Sequence, residues 1–149
     1  MKKKIAIVLL TTFMISICLL AFGGCSSIGL EEGDFEIAFT GVKVKDNKVT
    51  IDVEFKNKSW HNGWIVSGGD RSKPSTLITI IYEDENGEPN WEYPSIAVRH
   101  WIKCNQVINR TEEFVLEKGK YKITAFVDFY CNENTNHFYF SVEQEIEIK

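Results

Sequence analysis

Four cysteines and three histidines in 149 residues are where chemistry would first be sought. Two spacings, His100-x3-Cys104 and Cys131-x5-His137, offer two thiolates and two imidazoles, a donor set that can surround zinc tetrahedrally. Neither spacing is that of a zinc finger, and a disulfide or a plain strand-end histidine would consume the same residues, so no metal is expected. The acidic run Glu83-Asp84-Glu85-Asn86-Gly87-Glu88 lacks the alternating ligand loop of a calcium site, and Asn86-Gly87 reads as the tip of a solvated hairpin. There is no Gly-x-Ser-x-Gly elbow, no His-Glu-x-x-His, no phosphate-cradling glycine loop and no nucleotide fingerprint. A Cys/His nucleophile pair is formally present, yet nothing in the sequence activates either thiol. The chain therefore reads as a non-enzyme with no cofactor.

Aromatic weight is the more promising chemistry. Trp60-His61-Asn62-Gly63-Trp64, Asn90-Trp91-Glu92-Tyr93-Pro94 and His100-Trp101 fall where loops are expected. An exposed indole or phenol ring stacks on sugars or anchors a protein interface, because it brings a large rigid contact area at low entropy cost. Trp60, Trp64 and Trp91 are the candidate binding residues. The competing role for the same rings is to cap the open ends of a sandwich as secondary core. Phe126, Tyr130 and Tyr139 have the opposite parity to the core residues of their segments, so they form an outward aromatic stripe or lie beneath a further strand or loop.

The elements that must position these residues are strands. Over residues 48–56, Val49, Ile51, Val53 and Phe55 alternate with Thr50, Asp52, Glu54 and Lys56, the pattern of a strand with one face on a core and one in water. Upstream, Phe35, Ile37 and Phe39 share one phase and Val42 and Val44 the other, which predicts a β-bulge at Gly41 and a turn at Asp46-Asn47. Further strands are expected over residues 77–82, 96–102, 107–116, 121–131 and 138–148, about seven in all. The stretch Leu116-Glu117-Lys118-Gly119-Lys120-Tyr121-Lys122-Ile123-Thr124-Ala125 resembles the approach to the sixth strand of immunoglobulin-like sandwiches, whose tyrosine bonds back to the preceding corner. Val53-Glu54-Phe55-Lys56-Asn57-Lys58-Ser59 resembles the second strand of small bacterial sandwich lipoproteins, where the chain leaves the sheet at Asn-x-Ser. The fold expected is all-β, a single immunoglobulin-like antiparallel sandwich over residues 34–149.

The N-terminus supplies the location. Lys2, Lys3 and Lys4 precede an uncharged apolar run over residues 5–22 and then Gly23-Gly24-Cys25, the layout of an export signal. A cysteine directly after two glycines resembles the lipobox of bacterial lipoproteins. That resemblance implies a signal peptide over residues 1–24, a diacylglycerol thioether on Cys25, and a tether over residues 25–33 made mostly of Ser26, Ser27, Gly29, Glu31, Glu32 and Gly33. Each buried methylene contributes about 0.8 kcal/mol, so two or three acyl chains hold where one does not. Two alternatives stand beside it: cleavage after Gly23 with release of a soluble protein, or retention of the apolar run as an uncleaved anchor. The destination implied is the extracytoplasmic face of the cell membrane, or the outer membrane in a Gram-negative cell, where Ser26 resembles the residues that permit sorting.

Export frames the rest. Loss of three lysines with the signal leaves 14 basic against 21 acidic residues, a formal charge of −7, which argues against nucleic acid or anionic lipid as the main partner. With Cys18 in the signal and Cys25 lipidated, Cys104 and Cys131 remain in an oxidising compartment and are the expected disulfide. The function read from all this is a lipid-anchored domain that binds or scaffolds at the cell envelope, with membrane lipid held through Cys25 and an envelope protein or glycan as partner. The alternative is a secreted inhibitor or modulator acting through one loop of the same sandwich.

Overall fold

A computed structural model of the chain describes residues 30–70, 73–87, 89–90, 97–131 and 136–149. Among them are eight strands: β1 (Phe35–Lys45), β2 (Lys48–Asn57), β3 (Gly63–Gly68), β4 (Ile78–Glu83), β5 (Ala97–Ile102), β6 (Val107–Val115), β7 (Gly119–Cys131) and β8 (Asn136–Ile148). Short 3-10 turns at Glu32–Asp34 and Pro74–Leu77 are the helical pieces among the described residues. The period-two reading is borne out, most clearly on β2, where Val49, Ile51, Val53, Phe55 and Asn57 are buried and their neighbours are not. The bulge falls where the phase flips: Phe39 faces Val53 and Gly41 faces Asp52, leaving Thr40 as the extra residue.

The strands make two antiparallel sheets, β1-β2-β6 and a five-stranded sheet in which β7 is the hub. All of one edge of β7 pairs with β8, so β3 and β4 share the other edge. β3 faces Phe129, Tyr130 and Cys131, while β4 runs in line with it and faces the stretch from Lys122 to Val127. They are one interrupted strand, parted by a detour over residues 69–77. Thr76 staples that detour, its Oγ1 accepting from the Asp70 N–H at 2.9 Å and donating to the Lys73 carbonyl at 2.8 Å. β5 pairs with β3, so it extends the five-stranded sheet as an added strand does in variable-type immunoglobulin sandwiches.

Between the sheets lies one core. Phe35 stacks on Phe55 at 5.6 Å and meets Phe129 edge-on at 5.0 Å, and Ile51, Ile65, Ile78, Ile102, Ile123 and Val127 are fully buried around them. The corner tyrosine is present: Tyr121 hydroxyl donates to the Glu117 carbonyl at 3.1 Å. Asn57, at the end of β2, is fully buried and satisfied, its Nδ2 donating to the carbonyls of His61 and Lys103 at 3.0 Å each and its Oδ1 accepting from Ser59. That is the Asn-x-Ser exit read in the sequence.

Two expectations need correction. Seven strands become eight because Gly63–Gly68, read as an aromatic loop, is β3; its flanking glycines masked a short buried pattern in which Ile65 and Ser67 point inward. Leu30, expected in the tether, is instead buried against Gly63 and belongs to the main core cluster.

Candidate binding face

Strand pairing brings the outward aromatic residues of four strands into one band. Trp64 on β3 lies opposite Trp101 on β5; two residues along β3, Val66 lies opposite Tyr130 on β7, which lies opposite His137 on β8. Residues directly opposite share a face, as do residues two apart, so all five are on the outer face of the five-stranded sheet. Tyr139, two residues beyond His137, joins them. The band crosses three strand spacings, about 14 Å.

Its rings are in contact and half in water. Trp64 meets Trp101 edge-on with centroids 5.2 Å apart, Tyr130 stacks on His137 at 4.6 Å, and Tyr139 lies 5.7 Å from Phe126. Trp64, Trp101, Tyr130 and Tyr139 retain 49%, 45%, 41% and 54% of their accessible surface, far more than core rings such as Phe55 or Phe129. Cross-strand neighbours hold each ring in place, so little rotamer freedom remains to be lost on binding. Polar groups border the band: Arg99 is exposed opposite Val66, and His137 Nε2 lies 2.6 Å from Asp128 Oδ1. Beside it, Trp64, Trp101, Arg99 and Pro74 line an open cleft of about 240 Å³. Flat apolar rings bordered by donors and acceptors suit a ligand with alternating apolar and hydroxylated surface.

The sequence candidates divide. Trp64 belongs to the band, whereas Trp60, 84% exposed, stands apart on the loop between β2 and β3. Cys25 and Trp91 lie outside the described residues. Trp101, Tyr130, His137 and Tyr139 were not among the candidates; the opposite parity of Tyr130 and Tyr139 was the sequence signal, and the partner strand was the missing fact.

The disulfide expectation is corrected, because Cys104 and Cys131 are free thiols. Cys104 follows β5 in an exposed turn, held by an N–H bond to Asn62 Oδ1 at 2.7 Å, while Cys131 ends β7 opposite Ile65. β3 runs between those two strands. Two strand spacings are about 9.5 Å, beyond the roughly 7 Å between Cα atoms that a disulfide tolerates. Burial pushes the Cys131 thiol up to about 11, and the nearby Asp34 carboxylate acts in the same direction. The four Cys/His residues do not converge either: His100 is buried on the inner face of β5, and His137 is exposed on the outer face of β8. Asp84 to Gly87 form the expected hairpin tip, with the Asn86 N–H bonded to Asp84 Oδ1 at 2.8 Å and Gly87 at φ 74°.

Fold and face together define the class: an all-β, two-sheet antiparallel sandwich with an aromatic outer surface on one sheet. No protein-family model matches the chain, and no curated protein matches it. Among solved structures it is similar to the ApaA protein from Bordetella pertussis, at 11% identity and a TM-score of 0.48, over 77% of this chain and 94% of that one. It is also similar to part of a β-glucosidase from Kluyveromyces marxianus in complex with glucose, at 14% identity and a TM-score of 0.36, over 76% of this chain and 14% of the enzyme. For a β-glucosidase from Listeria innocua in complex with gluconolactone the figures are 15%, 0.38, 73% and 16%. These likenesses concern strand arrangement, and no binding or catalytic residue passes from them to this chain.

Proposed function

We propose that this protein is a lipid-anchored, extracytoplasmic, non-catalytic domain that holds a glycan of the cell envelope on the outer face of its five-stranded sheet. The observation that carries the reading is the band itself: Trp101, Trp64, Tyr130 and Tyr139 are all half exposed on four adjacent strands. A sugar chain offers C–H faces to such rings and hydroxyls to the groups beside them, here Arg99, His137 and Asp128. The formal charge of −7 on the chain without its signal favours a neutral glycan over a polyanionic one. The export signal and Cys25 supply the location.

Titration with purified peptidoglycan fragments, followed by tryptophan emission, tests this. Ligand is expected to shift the emission of the wild-type protein, and Trp64→Ala or Trp101→Ala to weaken binding at least tenfold while leaving the melting temperature within a few degrees. Each ring is already half in water, so truncation removes contact area from the ligand more than from the core. Absence of binding to any purified envelope glycan, with the fold intact, leaves a protein partner for the same face.

A further inference from the structure

The reading above leaves the most exposed ring of the described chain, Trp60, without a role. We propose that the end of the sandwich carrying Trp60 rests on the bilayer in which Cys25 is anchored, with the indole seated at headgroup level. This inference rests on lipidation of Cys25.

Its first support is where the tether ends. Leu30 is buried, and a β-carbon at Gly63 would fall 2.6 Å from Leu30 Cδ1, so Gly63 is the floor of the leucine's seat. The chain is therefore fixed to the domain beside the start of β3, three residues from Trp60. Five residue steps separate Cys25 from Leu30 and reach at most about 18 Å even when fully extended. A lipid at Cys25 confines this end of the sandwich to the neighbourhood of the membrane surface.

The second support is that Trp60 is held out rigidly. Its loop is pinned on both sides: the Lys58 N–H donates to the Asp34 carbonyl at 2.6 Å, the His61 N–H donates to Ser59 Oγ at 3.2 Å, and the His61 carbonyl accepts from Asn57 Nδ2 at 3.0 Å. An exposed indole on a fixed loop is already ordered before it meets a surface, so the entropy cost of seating it is small.

The third is the company it keeps. Lys58, His61, Asn62, Lys103 and Asn105 are exposed at the same end, and Trp with Lys is the composition found where proteins meet the membrane–water boundary. Glu31, Glu32, Asp34 and Glu36 lie there too, Glu36 paired with Lys58 at 3.6 Å, so the lysines give the end no positive excess and the contact is aromatic rather than electrostatic. The opposite end mixes exposed Lys45, Lys48, Lys118 and Lys120 with Asp46, Asp84, Glu85 and Glu117, and among the described residues it has no ring as exposed as Trp60.

The lipidated, signal-cleaved protein can be reconstituted into phosphatidylcholine vesicles carrying bromine on the acyl chains just below the headgroups. Part of the tryptophan emission should be quenched, quenching should persist in high salt, and Trp60→Phe should abolish it while Trp101→Phe retains it. Bromine at the chain ends should quench the wild-type protein less, a comparison that needs no variant. Equal quenching in Trp60→Phe and wild type, or none in a protein whose mass shows the lipid on Cys25, overturns the inference and leaves the anchor standing. An unmodified Cys25 overturns both.

Discussion

At the scale of single residues, burial makes two chemically different thiols out of one residue type. Cys104 sits in an exposed turn, whereas Cys131 is packed in the core with its pKa raised to about 11 from 9.0 by burial and by Asp34. Iodoacetamide at pH 8 should alkylate Cys104 in the native protein and reach Cys131 only after unfolding. A linked peptide pair on non-reducing mass mapping would show this placement to be wrong. The raised pKa has a sign for stability as well. The folded state keeps the Cys131 proton to higher pH than the unfolded state does, so its contribution is fully present below pH 9 and declines as pH rises toward 11. Cys131→Ala should flatten that part of the stability–pH curve relative to wild type. Residue-level reading of the sequence succeeded where a side chain's main role is local: Tyr121 reaches back to Glu117, and Asn57 to Ser59 and His61, with one further bond to the distant Lys103 carbonyl. It failed for Cys104 and Cys131, because whether two cysteines can meet depends on which strand lies between them.

At the scale of elements, a strand was legible when its own period named its face, and obscure when its neighbours supplied the pattern. β2 and the Gly41 bulge announced themselves through four alternating apolar residues and a phase flip. β3 did not, since Gly63, Gly68 and Gly69 around two inward residues read as loop, and the aromatic band could not be assembled without knowing that β3 lies between β5 and β7. The detour between β3 and β4 invites the sharpest test at this scale. Gly69 has φ 127°, a region that side chains rarely adopt, and a β-carbon there would meet Thr76 Oγ1 at 2.5 Å and the Thr76 carbonyl at 3.1 Å. Gly69→Ala should cost about 1–3 kcal/mol in chemical denaturation. Gly87→Ala should cost less, because nothing lies within 4 Å of its β-carbon position and only the φ of 74° opposes it. An equal loss in both variants would mean that backbone conformation alone, and not the Thr76 staple, sets the price.

At the scale of the whole molecule, the proposed anchor and the proposed binding face can be tested separately. Cys25→Ala should move the protein from the membrane to the soluble fraction with its thermal melt unchanged, because the core cluster of the described residues does not need the lipid to be buried. Retention of Cys25→Ala in the membrane after a salt wash would point instead to the apolar run as an uncleaved helix. The hub position of β7 has a further consequence, in time rather than in space. β3, β4 and β8 all pair with β7, yet β3 and β4 precede it in the chain and are made well before it. Until β7 has been made, β4 has no partner strand in its sheet and β3 has only β5, whereas the β1–β2 hairpin is complete by Asn57. The topology thus orders the partners along the chain: a hairpin complete early, a β3–β5 pair available by Ile102, and closure of the five-stranded sheet only once β7 is present.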